Sequence, residues 1–149
     1  MNNKFLDAAF EEAKIAFELN EVPIGAVIVE NNKIIAKGHN TKEQDMCCIS
    51  HAEINAILAA SNYKKNWRLD DCDIYVTLDP CPMCASAIKQ ARIKNVYSAN
   101  KNKYVDNDVI ISKIFQTDST NPSVNFISNI NINKSEKNLK DFFEKQRSI

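Results

Sequence analysis

The stretch from Asp73 to Gln90, "DIYVTLDPCPMCASAIKQ", decides how the rest of the chain is read. Its opening "DIYVTL" is β-branched and aromatic, as a buried strand requires. Its close, "CPMCASAIKQ", has the composition of a helix, and Pro80 suits that helix's first turn. A strand that turns directly into a helix is the unit of an α/β fold. Downstream, "NVYSA" is another short strand. Upstream, "IGAVIVE" and "KIIAKGH" flank Asn31 and Asn32, residues that tolerate the positive φ of a tight turn, and so form a hairpin.

Further out, Phe5, Leu6, Ala9, Phe10, Ala13, Ala16 and Phe17 recur at helical spacing, which predicts an amphipathic helix from about Asn3 to Leu19. "HAEINAILAAS" is a second, buried helix, joined by the polar and aromatic "NYKKNWRLDD" to the core strand. Residues 100–134 are rich in Asn, Lys, Asp and Ser; within them "DVIISKIF" reads as a helix and "VNFIS" as an edge strand. "SEKNLKDFFEKQR" reads as a final helix, capped by Ser135, with Leu139, Phe142 and Phe143 turned inward. The alternation of strand and helix implies α/β layers with a largely parallel second half.

The 149 residues, 44% of them apolar, make one domain spanning 1–149. The N-terminus lacks the apolar core of a signal peptide and no later run is long enough for a bilayer, so a cytoplasmic location is expected. Nineteen basic and nineteen acidic side chains cancel. Bulk charge therefore does not announce a nucleic-acid binder, and any RNA contact must come from a local patch such as Lys64, Lys65, Arg68, Lys101 and Lys103.

Five cysteines cannot all pair, and in a reducing compartment a close pair points to metal or redox chemistry. Cys81 and Cys84, at i and i+3, share one face of the helix they open, where the partial positive charge of the N-terminus favours thiolates. His51 opens the other apolar helix. If both helix N-termini meet at one sheet edge, His51, Cys81 and Cys84 form a three-ligand metal site with a fourth position left for water, the arrangement of catalytic zinc. Glu53, two residues after His51, then stands beside the metal as a proton shuttle. H-x-E followed by P-C-x-x-C is the general signature of zinc nucleobase deaminases.

Other readings compete. Ser50-x-x-Glu53 is also a capping box. Cys48-x-x-His51 with Cys81-x-x-Cys84 makes a closed, structural zinc module with no catalytic water. A redox C-x-x-C leaves the H-x-E motif unexplained. Cys47 and Cys72 are expected to be buried small hydrophobes, and His39 a surface or packing histidine.

From about Lys4 to Arg147, through "EVPIGAVIV", "GHN", "HAEINAI", "IYVTLDPCPMC", "ARI" and "DFF", the chain resembles the cytidine and deoxycytidylate deaminase superfamily, and most of all the bacterial tRNA-specific adenosine deaminases. The resemblance implies a three-layer α/β/α sandwich with a central mixed sheet, a homodimer, zinc on His51, Cys81 and Cys84, and Glu53 as general acid and base. It also implies that Asn40 hydrogen-bonds the substrate base and that Ala52 offers its backbone N–H to the reacting edge. The substrate it implies is the wobble adenosine of a tRNA anticodon loop, converted to inosine. The chain departs from that pattern where "NKNKYVDNDV" replaces a glycine-rich loop and where "EKQRSI" follows "DFF" with little arginine. Free cytosine, guanine or cytidine is the alternative substrate.

Overall fold

The computed structural model describes residues 3–102, 108–116 and 118–130. They form α1 (Asn3–Glu18), β1 (Gly25–Glu30), β2 (Lys33–His39), α2 (Ala52–Lys64), β3 (Cys72–Val76), α3 (Pro82–Gln90), β4 (Asn95–Ser98), α4 (Asp108–Ile114) and β5 (Asn125–Ile127). The expected C-terminal helix with Leu139, Phe142 and Phe143 lies outside the described residues.

The five strands make one mixed sheet in the order β2-β1-β3-β4-β5. β1 runs antiparallel to both β2 and β3, while β3, β4 and β5 are parallel. Gly25 therefore pairs with His39 and Ala26 with Val76, so β2, β3 and β4 all end at the same edge, and β1 begins there. Crevices at the carboxyl edge of such sheets are where α/β proteins place their sites.

Side-chain alternation divides the core into two layers. Ala26, Ile28, Ile74 and Val76 face α2 and α3, together with Ile88, Ile111 and Phe115. Val27, Val29 and Tyr75 face Phe5, Leu6, Ala9 and Phe10 of α1. Helices thus cover both faces, giving the expected α/β/α sandwich. On the α1 side Tyr75 stacks on Tyr97 at 4.7 Å and meets Phe5 at 5.3 Å.

The chain has two glycines, and each serves a helix–sheet crossing instead of a turn. A Cβ on Gly25 would lie 2.0 Å from the carbonyl oxygen of Ala9 in α1. One on Gly38 would lie 2.5 Å from Ala52 O and from Ala56 N in α2. Gly38 thereby lets the first turn of α2 lie against the strand that leads into Asn40. Among the described residues, four of the seven left-handed positions fall to asparagine, at Asn20, Asn31, Asn32 and Asn129, the residue that tolerates them best after glycine; Met46, Lys65 and Arg92 take the others.

Candidate metal-centred active site

His51 is the N-cap of α2 and Cys81 the N-cap of α3, both with extended backbone. Neither caps its helix through its side chain. The two side chains turn toward each other instead. The proline at the start of α3 is Pro82, at its first turn. Pro80 precedes the helix, so the sequence placed the boundary too early: Cys81 supplies the half-helical cap, and the ring that prefers helical φ follows it. Cys84 then falls one turn in, pointing the same way as Cys81.

The His51 Nδ1 atom lies 3.7 Å from Cys81 Sγ and 3.5 Å from Cys84 Sγ. All three donor atoms lie within 4.8 Å of one another. A tetrahedral zinc with bonds of about 2.3 Å to sulfur and about 2.0 Å to nitrogen holds such donors about 3.5 Å apart. The donor set and its spacing fit that ion. Even without a cation the cluster is polarised. The hydrogen bond from Cys84, and then His51, drive the Cys81 thiol down to about 4. The same bond, together with burial, pushes the Cys84 thiol up. His51 is pushed up, chiefly by its bond to Cys81. A bound dication would take the proton from both thiols.

Glu53 is buried, 4% exposed, against this cluster. Burial lifts its carboxyl to about 7, and its neighbours include Cys81, His51 and Cys84. A carboxyl poised near neutrality in a closed site suits proton transfer in both directions. The rival capping-box reading is not met. The N-cap is His51, not Ser50, which leaves Glu53 one position short of the box register.

Asn40 is buried at the end of β2, 6% exposed. Its backbone N–H reaches Ile24 O at 3.2 Å, and its side-chain oxygen accepts the Lys42 N–H at 3.0 Å. That Asx turn takes the oxygen and leaves the amide nitrogen as the donating end. Ala52, fully buried, is the first residue of α2, where the N–H has no partner within the helix.

Two residues escaped the sequence reading. Glu21, 2% exposed, accepts the N–H groups of Glu43 at 3.0 Å and Gln44 at 2.7 Å, gripping the loop that follows Asn40. Asn55 reaches that loop from α2. Its only sequence signal was a polar residue of low helix propensity in the apolar run "HAEINAILAA".

Cys48 does not join the cluster. It is exposed, and among the described residues the only group of three metal donors is His51, Cys81 and Cys84. Cys72 is buried as expected. Cys47 is only half-buried, contrary to expectation, because it lies on the outward loop between β2 and α2. His39 meets Glu12 of α1 at 3.1 Å, a packing role. Of the candidate basic patch, Lys64 pairs with Glu30, Arg68 with Asp70 and Lys101 with Asp108. Lys64, Lys65 and Arg68 sit at or beyond the last turn of α2, roughly 20 Å along the axis from the His51 end. Lys101 follows β4 at the edge that carries the site, and Lys103 lies outside the described residues.

The model of the MafB19-like deaminase family matches residues 2–147. A tRNA-specific adenosine deaminase of Rickettsia typhi is 39% identical over 148 residues, covering 96% of this chain and 98% of that relative. A structure solved in a study of A-to-I editing by tRNA:A34 deaminases at the wobble position of transfer RNA superposes with a TM-score of 0.84 at 33% identity, over 93% of this chain and all of that one. A guanine deaminase from Bacillus subtilis superposes with a TM-score of 0.67 at 30% identity, over 100% of this chain and 96% of that one.

Proposed function

The chain belongs to the MafB19-like deaminase family, a group of hydrolytic deaminases, and from that premise we propose that it is a zinc enzyme converting the wobble adenosine of a tRNA anticodon loop to inosine. The observation that carries the chemistry is the His51, Cys81 and Cys84 cluster with the buried Glu53 against it. What favours tRNA is the likeness, along nearly the whole chain, to a tRNA-specific adenosine deaminase.

His51 Nδ1 and the two sulfurs would hold a zinc ion, which would supply a Lewis acid and make water a nucleophile near neutral pH. Glu53 takes a proton from the attacking water as its oxygen adds to C6 of the adenine, and delivers that proton to the ring nitrogen. It then carries the second water proton to the amino group, which leaves as ammonia while the C6–O bond becomes the carbonyl of inosine. The Asn40 amide and the Ala52 N–H hold the base at this reacting edge. Burial keeps Glu53 from discharging into solvent between the two transfers.

The loop base is unpaired and enters the pocket without melting a duplex. For phosphate the reading relies on Lys101, which follows β4 on the site's own edge and pairs there with Asp108 at 3.5 Å, and on a cytoplasmic homodimer that would add a partner's surface around each pocket. The likeness to a guanine deaminase over the full chain supports a second reading, in which a free base is the substrate.

Ammonia and inosine are measured across an anticodon stem-loop, free adenosine, guanine, cytosine and cytidine. The expected result is inosine from the stem-loop alone, with RNA binding that weakens steeply as salt rises. Efficient turnover of guanine or cytosine, with no salt-sensitive RNA binding, overturns the tRNA reading and leaves a free-base deaminase.

A further inference from the structure

Between the metal cluster and Asn40 lies a side chain that neither role uses. Asn55 sits one turn into α2, its backbone N–H on His51 O at 3.0 Å. Its amide nitrogen donates to His39 O at 2.8 Å and to Thr41 Oγ1 at 2.9 Å, with Ser50 O at 3.5 Å. Two of these acceptors flank Asn40 on either side, and the third immediately precedes His51. The loop closes on itself at the same point, Thr41 N–H to Ser50 O at 3.0 Å. Thr41 Oγ1 in turn donates to Asp45 at 2.6 Å. An amide nitrogen has two hydrogens, and here both are spent on the segment that carries Asn40. An asparagine serving only its own helix would point to solvent or to the backbone one turn back, not to a neighbouring strand end.

We propose that Asn55 is a positioning residue: it fixes Asn40 against the His51 end of α2, so that the base-holding amide and the metal cluster keep a set separation. Gly38 makes this reach possible, because with a Cβ at that position α2 could not lie close enough to the strand end. The inference rests on the reading of Asn40 as the residue that holds the base. Asn55 does not touch the metal donors through its side chain, so its loss acts on how the base is held and not on the proton transfers of Glu53. The consequence is a raised KM with kcat intact.

The test compares Asn55→Ala, Asn40→Ala and the double variant on whichever substrate the parent enzyme turns over, with zinc content measured for each. Asn55→Ala is expected to raise KM about 3- to 10-fold, the reach of one or two lost hydrogen bonds, with kcat and zinc unchanged. The double variant is expected to be no worse than Asn40→Ala, since Asn55 acts through Asn40. Thr41→Val, which removes one acceptor at a half-exposed position, is expected to raise KM to a smaller degree and decides the matter if Asn55→Ala does not fold. A parent-like KM in Asn55→Ala, a fall in kcat alone, or full additivity with Asn40→Ala overturns the proposal. If Asn40→Ala itself leaves KM unchanged, the base-holding reading falls and Asn55 falls with it. If Asn40→Ala raises KM and Asn55→Ala does not, only the Asn55 proposal is lost.

Discussion

The wall of the site that carries Cys81 and Cys84 and the wall that carries Asn40 are held by opposite means. Behind the cysteines, Cys84, Ala85 and Ile88 are fully buried and α3 rests on the apolar core shared with Ile74, Val76 and Val96. Local helix geometry and core packing suffice to aim both sulfurs. Behind Asn40, residues 41–49 are half or fully exposed, with Met46 92% exposed. Among the described residues that loop is held by polar grips from a distance, Glu21 on one flank and Asn55 on the other. Chemistry that cannot tolerate displacement stands on the packed wall. The wall proposed to hold the base is one that single polar substitutions can shift.

If this contrast is right, damage to the packed wall should abolish the metal site, whereas damage to the loop should be graded. Cys84→Ser is expected to have the largest effect, with zinc lost and turnover with it. Cys48→Ser, on the exposed loop, should keep one zinc per chain and full activity. Elemental analysis of both purified variants checks this, and zinc loss on Cys48→Ser would restore the closed structural site. Next comes Gly38→Ala, whose Cβ meets immovable backbone of α2. It should cost about 3 kcal/mol and lower Tm by about 6 to 12 °C in a thermal melt.

Removing one grip is milder. Glu21→Ala leaves the Glu43 and Gln44 N–H groups without their acceptor and should cost about 2 kcal/mol, read by denaturant unfolding, with zinc retained. Smallest is Met46→Asn. The side chain is almost wholly in solvent and the backbone φ is 51°, which asparagine adopts more readily. The change should stay within about 0.5 kcal/mol, on the stabilising side. A large loss at Met46 would mean that the loop has support not seen in the monomer.

The same contrast explains what could be read from the sequence. α1, the Asn31–Asn32 hairpin, β3, α3 and β4 announce themselves through apolar periodicity and turn residues within a few positions of each other. Even "DVIISKIF" and "VNFIS" carried enough pattern to be recognised as α4 and β5. That Cys81 and Cys84 share a direction was legible because i, i+3 spacing is a local rule. Where the reading slipped, the deciding contact was more distant or finer than the pattern. In the sequence Pro80 reads as the opener of α3, and only the extended backbone of Cys81 gives that place to Pro82. Ser50 offered a rival cap for α2, but the extended backbone of His51 makes that residue the boundary. Cys47 was expected to be buried because its exposure depends on how a loop with no periodicity is laid down. The reach of Glu21 across to Glu43 and Gln44 has no local signature at all.

The most direct test lies at Glu53, the side chain to which the proposed mechanism assigns both proton transfers. Glu53→Gln preserves shape and burial while removing the titratable group, and its zinc content and turnover are measured together on the parent's substrate. One zinc per chain with turnover reduced by at least ~10², the low end for a general acid and base, is the expected result. Near-parent turnover with zinc in place would contradict it, and would reduce Glu53 to a buried residue of the first turn of α2.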